Sequence, residues 1–172
     1  MTFKPVSSLS DVLNVRRIRN ECRSYLTNNT SYISVPRQIY WYFTYYRKAA
    51  NTEIYRIFIA RNNKRQPVGY GALNLLDEKL FVTECVAEKY RGRGWGHLIL
   101  KKLINIAKHE GLPLIAEIRA TNKISIALHK KCGFTLDATK VKSGYKLCIY
   151  KNISKSSPII IFGKHRGKIL KR

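Results

Sequence analysis

Acidic residues are scarce in this sequence. Ten Asp and Glu stand against 33 Lys and Arg in 172 residues, a formal net charge of +23 at pH 7. Such a surface repels itself and calls for an anionic partner. Nucleic acid, an anionic membrane and anionic small substrates are the classes left open, and charge alone does not choose among them. A bare cationic substrate fits least well. The sequence also lacks any C-x-x-C pair. Its four cysteines, Cys22, Cys85, Cys132 and Cys148, are dispersed and each lies in or beside an apolar stretch. That spacing argues against a disulfide framework and for buried, reduced thiols in a cytoplasmic protein. His97, His109, His129 and His165 are equally scattered, so no zinc spacing exists and no metal is expected. Long apolar runs are missing too. Pro158 to Phe162 is far short of the roughly 20 residues a span needs, and the start, Met-Thr-Phe-Lys-Pro-Val-Ser-Ser, has no apolar signal core. No membrane partner is expected.

What is present is an ordinary globular mix, 45% hydrophobic and 25% charged. The length predicts one domain with a real core. Residues 11–27 read as a helix with Ser10 as its cap and Val12, Val15, Ile18 and Cys22 on one face. A second helix is predicted from Pro36 to Ala49, capped by Ser34. Its aromatics, Tyr40 to Phe43 with Tyr45 and Tyr46, occupy too many faces for one core stripe. Three short strands follow, Glu53–Arg61, Pro67–Leu76 and Leu80–Ala87, joined by polar turns that predict an antiparallel meander. A long amphipathic helix runs to Glu110 and stops at Gly111. Then come a strand over Leu114–Arg119, a short helix over Asn122–Lys131, and strands at Phe134–Ala138 and Gly144–Tyr150. From Lys151 to Arg172 there are seven Lys or Arg and no acid, a basic end in which Ile159–Phe162 is apolar enough to add a strand or dock on the body.

The chemistry concentrates at Arg91-Gly92-Arg93-Gly94-Trp95-Gly96, between the third strand and the long helix. A helix start exposes unpaired N–H groups and the positive end of the dipole. Glycines there let the backbone approach a phosphate closely, and Arg91 and Arg93 add charge. No Gly-Lys-Ser/Thr follows, so this is not a Walker loop, and its place after a meander does not suit a dinucleotide-binding start. An ordinary glycine turn into a helix would carry the same residues.

This segment resembles the acyl-CoA signature Arg/Gln-x-x-Gly-x-Gly/Ala of the GNAT superfamily of N-acetyltransferases. A second stretch, Asn122-Lys123-Ile124-Ser125-Ile126-Ala127-Leu128-His129-Lys130-Lys131-Cys132-Gly133-Phe134, is similar to the family's Asn-x-x-Ala-x-x-Leu-Tyr-x-x-x-Gly-Phe segment. The resemblance covers about residues 53–150, is weaker before and absent after. It implies an α/β fold with a mixed, mostly antiparallel central sheet flanked by helices. It also implies one acetyltransferase domain over residues 1–152, with 153–172 a basic C-terminal extension. Acetyl-CoA would be the co-substrate. Its pantetheine arm would lie where the central strand splays, beside Cys85 and Val86, with Val86 offering backbone groups. The segment Arg91, Gly92, Arg93, Gly94, Trp95, Gly96 and His97 would hold the pyrophosphate, and Asn122 and Ser125 would face the cofactor.

In such proteins an amine attacks the thioester directly, which needs a base for the ammonium proton and an acid for the thiolate. Asn122, Ser125 and His129 share one helix face. His129 stands where the family has its acidic Tyr; an imidazolium can donate a proton, and an exposed helix histidine is the plainer reading. Glu117 is the preferred base, because Glu117-Ile118-Arg119-Ala120-Thr121-Asn122 resembles the Glu-Val-Arg-x-x-Asn run of bacterial ribosomal-protein N-terminal acetyltransferases; partial burial would raise its pKa. Glu84, on the strand face of Val82 and Val86, is the rival. For either acid, pairing with one of the many cations is the plainer role. Trp41 and Tyr45, at i and i+4, are placed to stack on a flat acceptor, though core packing uses the same pattern. The expected acceptor is an amine on an anionic scaffold: a nucleotide-linked amino sugar, aminoacyl-tRNA or modified nucleic acid. A protein N-terminal amine is the alternative acceptor. A tRNA- or DNA-binding protein on a catalytically inactive version of the fold is the alternative from another class.

Overall fold

The computed structural model describes residues 1–153. All of the expected C-terminal extension except Ile153 lies outside the described residues, as does the apolar run Ile159–Phe162. The chain starts with a short strand β1 (Thr2–Pro5) that sequence reading missed. Four residues ending in proline carry little strand signal, and β1 exists because it pairs with the edge of β2 (Tyr55–Arg61). Helix α1 spans Leu9–Cys22, capped by Ser8 rather than Ser10, with the Asp11 N–H donating to the Ser8 hydroxyl. It stops five residues short of the predicted end and tightens into a 3₁₀ turn at Arg23–Tyr25. Val12, Val15, Ile18 and Cys22 are its buried stripe, as expected.

Ser34 caps α2 (Val35–Trp41), which passes through a π turn at Tyr42–Tyr46 into α3 (Arg47–Asn51). The wider turn resolves the crowding of aromatics. Tyr42 and Tyr46 enter the core, where the Tyr46 hydroxyl accepts from the Ile57 N–H at 3.3 Å. Gln38, Trp41 and Tyr45 face a cavity instead. Tyr40 and Phe43 point outward.

The meander forms as predicted: β2, β3 (Pro67–Leu76) and β4 (Lys79–Val86) are antiparallel neighbours. Helix α4 (Trp95–Glu110) follows, then β5 (Leu114–Arg119), α5 (Lys123–Lys131), β6 (Thr135–Lys142) and β7 (Tyr145–Asn152). The seven strands make one sheet in the order β1-β2-β3-β4-β5-β7-β6, antiparallel except where β4 meets β5. This is the mixed, mostly antiparallel sheet flanked by helices that the sequence implied.

Glycines in β3 set how close α4 lies. A Cβ on Gly69 would sit 2.5 Å from the Cys85 carbonyl and 2.7 Å from Ile99 of α4, and one on Gly71 would meet Leu103 at 2.8 Å. These two residues therefore face α4. Tyr70 between them faces the other side, toward α1 and α2, and lines the cavity that Trp41 lines. The sheet is sandwiched, and each strand residue can be assigned to a face.

Gly69→Ala is expected to lower stability by about 1–3 kcal/mol, because overpacking against a fixed backbone carbonyl cannot relax cheaply. Urea unfolding should show a lower midpoint at unchanged m; an unchanged midpoint refutes the close contact.

Candidate active site

β4 and β5 pair at only two positions, Leu80↔Leu114 and Phe81↔Ile115, and then part. The Ala87 N–H donates to the Val68 carbonyl. By alternation, residues 81, 83 and 85 also spend their backbone groups on β3, while Val82, Glu84 and Val86 turn theirs to the parted side. A cleft of about 510 Å³ fills the gap and runs on to the start of α4.

The glycines around that helix start have two jobs. Gly92 and Gly94 have φ of +73° and +79°, with open space where a Cβ would stand. They permit the turn. Gly96 permits packing, since a Cβ there would lie 3.3 Å from Leu128 of α5. The first bond into the helix runs from the Leu98 N–H to the Gly94 carbonyl. The amides of Trp95, Gly96 and His97 thus have no acceptor among the described residues. With the helix dipole behind them, they suit a phosphate.

Arg91 departs from expectation. Its guanidinium donates to the Glu21 carbonyl at 2.9 Å, the Val86 carbonyl at 3.3 Å and the Cys22 sulfur at 3.4 Å, and lies over the Tyr25 ring. It clamps α1 to the loop; the cation left exposed beside the amides is Arg93. The Val86 carbonyl also accepts from the Cys22 thiol at 3.4 Å. Only the Val86 N–H is left to serve a strand-like ligand, not both groups. Cys85 borders the cleft, but its backbone is spent on β3 and its buried thiol donates to the Tyr70 hydroxyl at 3.3 Å. Interaction with the Cys22 sulfur, with burial, pushes the Cys85 thiol well up. The same interaction, helped by Arg91, brings Cys22 down to about 7. The His97 ring is occupied by Cys132, 3.3 Å away.

Asn122 and Ser125 face the cleft, and much of their polarity is used internally. Asn122 caps α5 by accepting from the Ser125 N–H at 3.1 Å. His129 is neither an exposed helix histidine nor a freely presented acid: it is 1% exposed, packed edge-on to Phe134 at 4.9 Å. Its Nδ1 is 2.9 Å from the Ser125 carbonyl, and a carbonyl only accepts, so Nδ1 carries the hydrogen. Its Nε2 faces Glu84, 3.5 Å from Oε2, with no closer partner. Burial raises the Glu84 carboxyl above its ordinary value, and the His129 charge offsets part of that.

Glu84 pairs in register with Gly71, so it lies on the α4 face of the sheet. Glu117 lies on the other face. Phe81 pairs with Asn74, which lines the cavity under α2, and with Ile115 on β5; Glu117 and Arg119 share the side of Ile115. The two acids that sequence reading held as rivals therefore border one cleft from opposite faces. Glu117 does meet a cation: Lys140 Nζ is 2.5 Å from Oε1. Its Oε2 is buried and unpartnered.

A second cavity, about 420 Å³, lies beneath α2, with Trp41 and Tyr45 in its wall as expected. Their rings are tilted 34° at 6.1 Å, and Trp41 stacks instead on Tyr46 at 5.1 Å. Leu26, Thr27 and Asn28 border both cavities. Three cations that sequence reading overlooked hold this region. Arg119 donates to the Leu26 carbonyl at 2.8 Å, Lys142 to Asn28 at 2.6 Å, and Lys140 holds Glu117. Strand alternation from Glu117 could have found Arg119; the two lysines come from a strand whose register the sequence does not state. No group of three or more His, Cys, Asp or Glu able to hold a metal occurs among the described residues. No helix among them is long and apolar enough to cross a membrane.

Comparison with known proteins agrees with this geometry. The sequence model described as the acetyltransferase (GNAT) family matches residues 14–134. No curated protein matches the chain. Among solved structures, the ribosomal-protein-alanine N-acetyltransferase of Brucella melitensis is similar, with TM-score 0.74 and 23% identity over 90% of this chain and 100% of that one. The yncA protein of Salmonella typhimurium, solved with acetyl-CoA, has TM-score 0.72 and 22% identity over 93% and 98%. The spermidine N-acetyltransferase of Vibrio cholerae, solved with CoA and spermine, has TM-score 0.74 and 15% identity over 88% and 94%. A parted strand pair beside an open helix start, in a chain matched over most of its length, places the protein in the acetyltransferase (GNAT) family, enzymes that use acetyl-CoA as co-substrate.

Proposed function

We propose that the protein transfers an acetyl group to an amine by direct attack within a ternary complex, and that the acceptor carries negative charge. One observation carries the mechanism: two carboxyl groups flank the same cleft from opposite faces of the sheet. The co-substrate supplies the acetyl group as a thioester. The Trp95–His97 amides and Arg93 take the pyrophosphate, and the backbone of Glu84 and Val86 meets the extended arm on the parted edge. Glu117, on the face of the second cavity, accepts the ammonium proton through its free Oε2, while Lys140 fixes its other oxygen. Glu84, on the α4 face, returns a proton to the departing thiolate. Burial favours its neutral form, which is the form that donates. His129 is a positioning residue behind Glu84, not the donor itself. The nitrogen–carbon bond forms, the carbon–sulfur bond breaks, and one proton leaves the nitrogen as another reaches sulfur.

The acceptor reading is supported by the net charge of +23. A nucleotide-linked amino sugar, aminoacyl-tRNA or modified nucleic acid all fit it. The Brucella protein, a ribosomal-protein-alanine N-acetyltransferase, supports the alternative, a protein N-terminal amine. Basic protein termini suit the charge less well.

Gly94→Asp should abolish acetyl-CoA binding, because a carboxylate would face phosphate oxygens. Gly94→Asn carries the same backbone strain without the charge and should keep most of it. Thermal shift with acetyl-CoA reads both; equal behaviour of the two variants refutes the loop assignment.

Glu117→Gln should lower turnover at pH 7 by about 10²-fold or more, the size of a lost general base. His129→Phe should act on the pH profile. Donation by Glu84 fails as pH rises through its pKa, and loss of the imidazolium raises that pKa further, so the alkaline limb moves upward. An unmoved limb removes Glu84 from the acid role. The same group affects stability. A carboxyl raised above 4.5 in the fold binds its proton more tightly folded than unfolded, so its contribution is full below 4.5 and is lost as pH rises through the folded value. Chemical denaturation of wild type and Glu84→Gln across that range should show this loss in the wild type alone.

A further inference from the structure

The cavity beneath α2 has a composition that the acetyltransferase reading does not explain. Its wall contains two cations, Arg19 and Arg37, and no carboxylate. It also contains Gln38, a neutral polar side chain only 5% exposed, whose amide makes no hydrogen bond to any described residue. The Gln38 amide is not among the fully buried unpartnered polar atoms, so it keeps access to the cavity space and a ligand there can reach it. Arg37 is exposed, and its guanidinium makes no hydrogen bond or ion pair among the described residues. Arg19 is oriented differently: it donates to the carbonyls of Asn29 and Ser31, which fixes the loop beside it and leaves its charge at the cavity wall. The remainder of the wall mixes aromatic rings, among them Trp41, Tyr55 and Tyr70, with aliphatic and neutral polar side chains.

We infer that this cavity holds the acceptor as a small amine bearing its own oxyanion, a carboxylate or a phosphonate, with Arg37 and the Gln38 amide as partners of that group. The inference rests on the acetyltransferase reading and narrows its acceptor. Three features of the cavity agree with it. An oxyanion supplies acceptor atoms for the Arg37 guanidinium and the Gln38 amide N–H, with the Arg19 charge beside it. The cavity, about 420 Å³, is at the small end of ligand pockets, room for a compact molecule with an apolar body against the rings. Its shared border with the cofactor cleft at Leu26, Thr27 and Asn28 gives the amine end a route toward the parted strands, where Glu117 waits. A polyamine would bring further cations against Arg19 and Arg37 with no acid to receive them.

The test is a panel of amines assayed with acetyl-CoA by thiol release. It contains α-amino acids, β-alanine and aminoalkylphosphonates, each of the acids matched with its carboxamide, together with spermidine and aminoacyl-tRNA. Calorimetric titration of the same compounds into the CoA-saturated protein reads the cavity without turnover. At least one oxyanion-bearing amine should exceed its own carboxamide by about tenfold or more in kcat/KM or affinity, the value of one charge-assisted hydrogen bond. Preference between carboxylate and phosphonate identifies the oxyanion. Arg37→Gln should raise KM for that acceptor about tenfold or more and leave the affinity for acetyl-CoA unchanged. Gln38→Leu should weaken the acceptor without lowering the unfolding midpoint, which a structural amide would not do. Equal use of acid and carboxamide, preference for spermidine, transfer to aminoacyl-tRNA alone, or binding of no panel member overturns this inference. Failure to bind acetyl-CoA at all overturns the parent reading instead.

Discussion

The parting of β4 from β5 is the constraint on which the rest of the structure depends. A parallel pair inside a sheet normally continues to the ends of its strands, because unpaired backbone groups in a buried place are costly. Here pairing stops after Phe81 and Ile115. The 3₁₀ turn after α1 and the loop behind it border the gap. Arg119 holds that loop from β5, and Arg91 holds α1 from the far side of the cleft. The backbone of Glu84 and the Val86 N–H are thereby left to a ligand that can imitate a strand. The same divergence gives the two acids their separation, one on each face.

The distribution of charge follows from how few acids there are. Of the ten, Asp11, Glu21, Glu110 and Glu117 pair with Arg or Lys, and Glu84 faces His129. Half of the acids are therefore engaged with a basic side chain. Glu110 ties the end of α4 to Arg56 of β2 through a bidentate pair, and Asp11 ties the start of α1 to Arg61. What remains outside is nearly all positive, so anions are drawn toward the molecule from beyond contact range, the more so at low salt.

Much of this was legible in the sequence. The strands of the meander, the glycine turn, the amphipathic stripe of α4 and the cap at Asn122 follow from local rules of turn chemistry and periodicity, and local rules decided those elements. Glu84, Glu117 and His129, read as candidates for acid and base, line one cleft, but their roles were not fixed by spacing. Alternation places Glu84 on a strand face; it does not say that His129 will be buried behind it. Arg91 read as a phosphate cation because the motif sets it beside the glycines, yet Glu21 and Cys22, about 70 residues earlier, claim it. Lys140 and Lys142 were invisible for the same reason. Their partners lie on other elements, and β6 is too exposed to carry a periodic pattern. Short β1 failed because its existence depends on pairing alone.

The segment Leu26–Asn28 is a partition with a cavity on each side, tied to β5 by Arg119 and to β6 by Lys142. A wall with two tenants makes their occupancies interdependent. By whatever factor filling one chamber changes the affinity of the other, filling the second changes the affinity of the first, because linkage between two equilibria is reciprocal. Coupling between ligands in the two cavities would then pass through three residues that donate nothing to the chemistry.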